Sequence, residues 1–237
     1  MKLMLPVNKT TPFHVKTLPR YTSMMTFRIL FKRVKRWLRH KRNRGIVVIG
    51  LFVVALFIAA AYSNAMVKTI DQAAYASLLT TIADGESNGN YNAYFKNASN
   101  TSLKFTDMTI GDVLAWQKQY VEAGNASNAV GRYQIIEPTL RSLVAELNIP
   151  QSAIFNEQLQ DKLAIALMER RGSKDYVADK LSAEQFAANL AKEWAALPNV
   201  TGERPTESYY AGDGLNESRI SVEEITQAVK EFRAAVE

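Results

Sequence analysis

Leu78-Leu-Thr-Thr-Ile-Ala-Asp-Gly-Glu-Ser-Asn-Gly-Asn-Tyr91 reads as a helix running into a glycine-rich turn, with the carboxylate of Glu86 at the junction. Leu78 and Ile82 are four residues apart and share a helix face; the next step of four lands on Glu86, so its side chain is expected to point toward the apolar interior. Desolvation disfavours the charged form of a carboxyl group. An acid held protonated near neutral pH is the group needed to protonate a leaving oxygen. The competing reading makes Glu86 an ordinary helix-end residue beside a capping Gly85.

Upstream, the chain divides sharply by charge. Of 237 residues, Met1 to Gly45 contain 13 Lys/Arg and no Asp/Glu. The formal +6 therefore separates into +13 in this arm and −7 in the remainder. Ile46 to Tyr62 is uncharged, and the uncharged run continues to Val67. At about 1.5 Å per residue that is enough to cross a bilayer. The basic cluster Lys32 to Arg44 abuts its N-terminal side, so the positive-inside rule puts the arm in the cytoplasm and the body across the cytoplasmic (inner) membrane. Cleavage as a signal peptide near Ser63-Asn64-Ala65 is the alternative, but the basic n-region is long for that. The expected organisation is a basic arm over 1–45, a transmembrane anchor over 46–66 and a catalytic domain over 67–237. Phe27 to Arg44 has the spacing of an amphipathic helix on an anionic leaflet. Because the basic charge sits outside the globular part, nucleic acid is not the expected partner. The chain has no Cys, and its two histidines, His14 and His40, precede the span, so neither a disulfide nor a metal site is expected in the body, and no cofactor.

Downstream, Val67 to Asp84 reads as an Ala-rich helix ending at Gly85. Asn88 to Asp107, rich in Asn, Ser and Thr, has the composition of turns and a small β-hairpin. Thr109…Asp112, Ser182…Gln185 and Ser221…Glu224 form capping boxes ahead of helices. Glu137 is a candidate N-cap, with Pro138 at the first helical position. Leu159 to Arg171 has an apolar helix face, and the helix begun at Ser182 runs through Trp194 until Pro198 stops it. The fold class expected is mainly α, an α+β arrangement with a small β-hairpin region, preceded by one N-terminal transmembrane helix.

Several pieces occur in an order that resembles the lysozyme-like peptidoglycan-cleaving superfamily, specifically phage lambda-type endolysins and Slt-type lytic transglycosylases. Gly85-Glu86-Ser87 looks like the Glu-Ser closing the catalytic helix of Slt-type enzymes. Gly131-Arg132-Tyr133-Gln134, followed by Pro138-Thr139, is similar to the Gly-Arg-Tyr-Gln element of lambda-type endolysins. Ser208-Tyr209-Tyr210-Ala211-Gly212 looks like a Tyr-Asn-Ala-Gly element, with Tyr210 replacing Asn. Phe155 to Gly172 and Trp194 to Pro198 add to the likeness, which covers about residues 75 to 215. The resemblance implies Glu86 as catalytic acid, and Ser87, Arg132, Tyr133, Gln134 and Tyr209 as substrate-binding residues. Independently of it, Gln134 can donate and accept, and tyrosines offer flat faces suited to sugar rings. Core packing of the tyrosines and an acid partner for Arg132 are the alternatives.

Glycoside hydrolysis usually employs two flanking carboxylates. No second acid is suitably placed near Glu86 in sequence: Asp84, two residues back, points well away from it on a helix, the next acid is Asp107, and phage lysozymes with a Glu…Asp…Thr triad place their Asp where this chain has Phe95 and Lys96. Only remote acids such as Glu207, Asp213 or Glu217 remain. A single acid suffices for a lytic transglycosylase, in which the muramyl 6-hydroxyl replaces water and a 1,6-anhydro end forms. The expected function is therefore membrane-anchored cleavage of the bond between N-acetylmuramic acid and N-acetylglucosamine. A hydrolytic muramidase and a non-catalytic glycan-binding scaffold are the alternatives. The expected partners are the peptidoglycan strand, the cytoplasmic membrane, and an envelope-spanning or phage virion complex.

Overall fold

A computed structural model describes residues 69–237. The basic arm, the expected amphipathic segment and the expected 46–66 span lie outside the described residues. Among the described residues no helix is long and apolar enough to cross a membrane. They contain seven α-helices: α1 (Ala76–Ser87), α2 (Ile110–Glu122), α3 (Glu137–Glu146), α4 (Glu157–Arg170), α5 (Ser173–Val177), α6 (Ala183–Ala191) and α7 (Val222–Val236).

The first helix differs from expectation at both ends. A 3-10 turn over Gln72–Tyr75, capped by the Asp71 carboxylate at the Ala73 N–H (3.0 Å), precedes it. The helix then continues through Gly85 instead of stopping there, and Asn88 (φ 53°, ψ 36°) forms the left-handed C-cap, its N–H donating to Ala83 O. Gly85 is required for space. A Cβ there would lie 2.8 Å from Ile220 Cγ1 and 2.9 Å from Ala196 Cβ.

All three capping boxes form as the sequence indicates, at the starts of α2, α6 and α7. Helix α3 is displaced by one residue: Ile136 is its N-cap, so Glu137 and Pro138 occupy the first two helical positions. An Asn156 side chain accepting from Leu159 N–H (2.9 Å) starts α4 earlier than the apolar pattern suggests.

The core is built where α7 packs on α1 and α6. Leu78 and Ile82 are fully buried, as their shared face predicts. Tyr75, Tyr176, Phe186 and Phe232 form one aromatic cluster, with ring centroids 4.7 Å to 6.4 Å apart. Each large apolar side chain so buried contributes roughly 1.5–3 kcal/mol. A second aromatic group, Tyr94, Phe105, Trp116 and Tyr120, secures the loop after α1 to α2.

The expected β-hairpin is absent. Strand-like pairing among the described residues consists of isolated bridges, such as Tyr94 with Asn97 and Val130 with Ile135. Asparagine side chains take the place of a ladder. Asn90 Nδ2 donates to the carbonyls of Ala98 (2.7 Å) and Asn100 (2.8 Å), and Asn100 Nδ2 to those of Asn92 (2.6 Å) and Leu103 (2.7 Å). Short amides that bond to nearby backbone offer the chain an alternative to strand pairing, and this segment has adopted it. The architecture is mainly helical with almost no strand.

Candidate active site

Glu86 lies on the last turn of α1, half-buried at the wall of a cleft of about 790 Å³. Its Oε1 accepts a hydrogen bond from the Ala196 N–H at 2.9 Å. Local folding after α6 explains how that donor reaches it. The helix ends at Ala191, well before Pro198, and Trp194 turns inward, 3% exposed, with its Nε1 donating to Tyr133 O at 3.2 Å. The Ala196 carbonyl in turn accepts from the N–H groups of Arg219 (2.9 Å) and Ile220 (3.1 Å). Ala196, whose N–H addresses the acid, is thus anchored through its carbonyl as well.

Burial raises the Glu86 carboxyl from its ordinary value of 4.5 to about 7, against the opposing pull of the Ala196 N–H and the Arg219 charge. A substantial fraction of the group keeps its proton at neutral pH. Linkage gives a sign for stability: a carboxyl whose pKa is raised on folding favours the folded state fully below about pH 4.5. That contribution is lost as pH rises to about 7. Glu86→Gln removes this pH dependence. The variant is therefore expected to gain about 2–3 kcal/mol over the native chain between those limits, as read by denaturant melts at several pH values.

The residues expected to bind substrate are divided by the structure. Gln134 lines the cleft. It sits at φ 46°, in the left-handed region, and its Nε2 is fixed to Gly131 O at 2.9 Å. Ser87 does not face the cleft: it is 1% exposed and donates to Arg132 O at 2.7 Å, tying the end of α1 to the Gly131 loop. Tyr133 is likewise in the core, 1% exposed, and its hydroxyl donates to Asp161 at 2.6 Å. Burial and that carboxylate hold the phenol's pKa high, so it remains a donor.

Arg132 belongs to the same inner network. Its guanidinium lies over the Tyr91 ring (4.8 Å) and donates to Tyr91 Oη (2.6 Å), and that hydroxyl donates to Asp161 (2.9 Å). Ser87 and Tyr133 are thus packed in the core, and Arg132 is half-buried against Tyr91. Tyr209 does not line the cleft. It is 53% exposed outside the cleft, whereas Tyr210 lines it with its hydroxyl bonded to Lys192 O at 2.7 Å.

The loop carrying Gln134 depends on Gly131. Its φ is 79°, and a Cβ would collide with the Gln160 amide. That amide is itself committed, accepting from Arg132 N–H (2.9 Å) and donating to Phe155 O (3.0 Å) and Tyr91 O (3.1 Å). Gly131→Ala is expected to destabilise the domain by about 2–4 kcal/mol, measured by chemical denaturation.

Among the residues that line the cleft, the acid besides Glu86 is Glu193, and it is paired with Arg171 at 2.7 Å. The remote acids stay outside. Asp213 caps the N–H groups of Leu215 and Asn216, Glu207 pairs with Arg204, and Glu217 is exposed with Arg219 Nε at 3.7 Å. Sequence reasoning missed Ala196, Glu193, Tyr210 and Arg219. Of these, Tyr210 carried a signal, because it occupies the Asn position of the motif it resembles. No curated protein and no solved structure gives a significant match. Residues 76–212, more than half of the chain, match the family model described as Endolysin. This chain therefore belongs to the endolysin family, and is a peptidoglycan-cleaving enzyme.

Proposed function

We propose that the protein is a membrane-anchored lytic transglycosylase with Glu86 as its acid and base. The observation that supports this most is the charge state of the cleft. It holds one carboxyl group with a raised pKa and no ion-pair partner, Glu86, while Glu193 is paired with Arg171. In the first step Glu86 gives its proton to the glycosidic oxygen as that oxygen leaves the anomeric carbon. In the second, the Glu86 carboxylate takes the proton of the muramyl 6-hydroxyl as O6 bonds to the same carbon. The products are a free N-acetylglucosamine 4-hydroxyl and a 1,6-anhydro-muramyl end. No water is consumed, and Glu86 regains its proton. Gln134, in the left-handed loop across the cleft, is suited to hold an acetamido group.

Muropeptide mass analysis tests the chemistry, with anhydro ends as the supporting result and reducing ends as the opposing one. The anchor is part of the same proposal, with the arm over 1–45 in the cytoplasm, the span over 46–66 and the catalytic domain over 67–237 on the outer face of the inner membrane. Protease added to intact spheroplasts is expected to remove the body from about residue 68 onward while sparing the arm. Protection of the body would remove the enzyme from its substrate. A tethered enzyme reaches only nearby wall, which suits local opening for an envelope-spanning or phage virion complex.

A further inference from the structure

Residues 213–220 lie beyond the matched family region, yet they complete the cleft. Leu215, Asn216 and Arg219 line it, and a turn capped by Asp213 carries the first two. The backbone N–H groups of Arg219 and Ile220 fix the Ala196 carbonyl, whose residue donates to Glu86. The Ile220 side chain fills the space left by the absent Cβ of Gly85, and Arg219 Nη1 reaches Gly85 O at 3.4 Å. One short segment therefore touches both residues that frame the acid.

We propose that Arg219 is a positioning residue that makes Glu86 usable in both its protonation states, by fixing the Gly85 and Ala196 backbone and by placing a positive charge near a carboxylate. The need for that charge rests on the transglycosylase reading. Between the two steps Glu86 has lost its proton to the departing sugar and has not yet taken one from the 6-hydroxyl, so it is an anion in a partly desolvated site. Among the described residues Glu86 has no ion-pair partner, and Arg219 Nε lies instead 3.7 Å from Glu217. A direct pair would hold Glu86 charged and spoil the first step; a charge at a stand-off assists the second without preventing the first.

Of the charges around the acid, Arg219 is the one that acts on the Glu86 carboxyl. Lys96 and Lys192 line the cleft from separate loops, Arg171 and Glu193 offset one another, and Asp84 is exposed on the same helix. The Tyr210 phenol, its pKa raised by burial, stays neutral.

The test is a carbon-13 titration of the Glu86 carboxyl in the full chain, its resonance identified by its loss in Glu86→Gln, alongside the pH profile of peptidoglycan cleavage. In Arg219→Gln the midpoint and the alkaline limb of the rate are expected to move up together by about one pH unit, with about a tenfold loss of maximal rate. Arg219→Lys, which keeps the charge, is expected to restore the midpoint but only part of the rate. An unchanged midpoint in a folded Arg219→Gln chain overturns the proposal. So does a midpoint in Arg219→Lys as far displaced as in Arg219→Gln, and this variant serves if Arg219→Gln does not fold. A native chain whose midpoint responds to both substitutions as expected, but whose products carry reducing ends, upholds the coupling and overturns only the transglycosylase reading.

Discussion

Glu86→Gln is expected to abolish nearly all glycan cleavage, a loss of about a thousandfold or more, while the protein remains folded. Glutamine has the shape of the protonated acid and can still accept from the Ala196 N–H, so the geometry of the turn survives. What it lacks is a proton to give. The same variant should be the more stable protein above about pH 4.5, because it does not place a carboxylate in a desolvated site. This pairing of lost activity with gained stability distinguishes a catalytic acid from a structural one, whose removal would weaken the fold. Glu86→Asp keeps the proton but withdraws it by roughly 1 Å, enough to lose about a hundredfold. Native-like turnover in Glu86→Gln, measured by release of soluble muropeptides, would remove Glu86 from the mechanism.

The features legible in the sequence are those that local physics determines. Capping boxes at Thr109, Ser182 and Ser221 close over three residues, and all three form. The inward face of α1 was readable because Leu78, Ile82 and Glu86 repeat at helical spacing. The errors lie where distant parts of the chain decide. Gly85 looks like a helix terminator, but its missing Cβ makes room for Ile220 and Ala196, which are far from it in sequence. The asparagines after α1 suggest turns between strands, whereas their amides hold a loop by themselves.

The site shows the same division. Glu86 and Gln134 were found through their motifs, and both line the cleft. Ser87, Arg132 and Tyr133 belong to the same motifs but serve the scaffold, through Arg132 O, Tyr91 and Asp161. A motif preserves neighbours in sequence, and alternate neighbours on a tight turn point to opposite sides. The Ala196 donor is a backbone group, which no side-chain pattern reveals. Arg219 reaches the site from a loop with no periodicity at all.

The measurement closest to the central claim is digestion of purified peptidoglycan in water enriched in heavy oxygen, followed by mass spectrometry of the released chains. With Glu86 as the one unpaired acid in the cleft, the muramyl 6-hydroxyl is expected to be the nucleophile. The chains should then end in 1,6-anhydro-N-acetylmuramic acid, weigh one water less than hydrolytic products, and carry no heavy oxygen. Glu193→Gln should leave that product unchanged, because Glu193 is committed to Arg171. Reducing muramic ends labelled with heavy oxygen would contradict the account, since they require a second group to activate water.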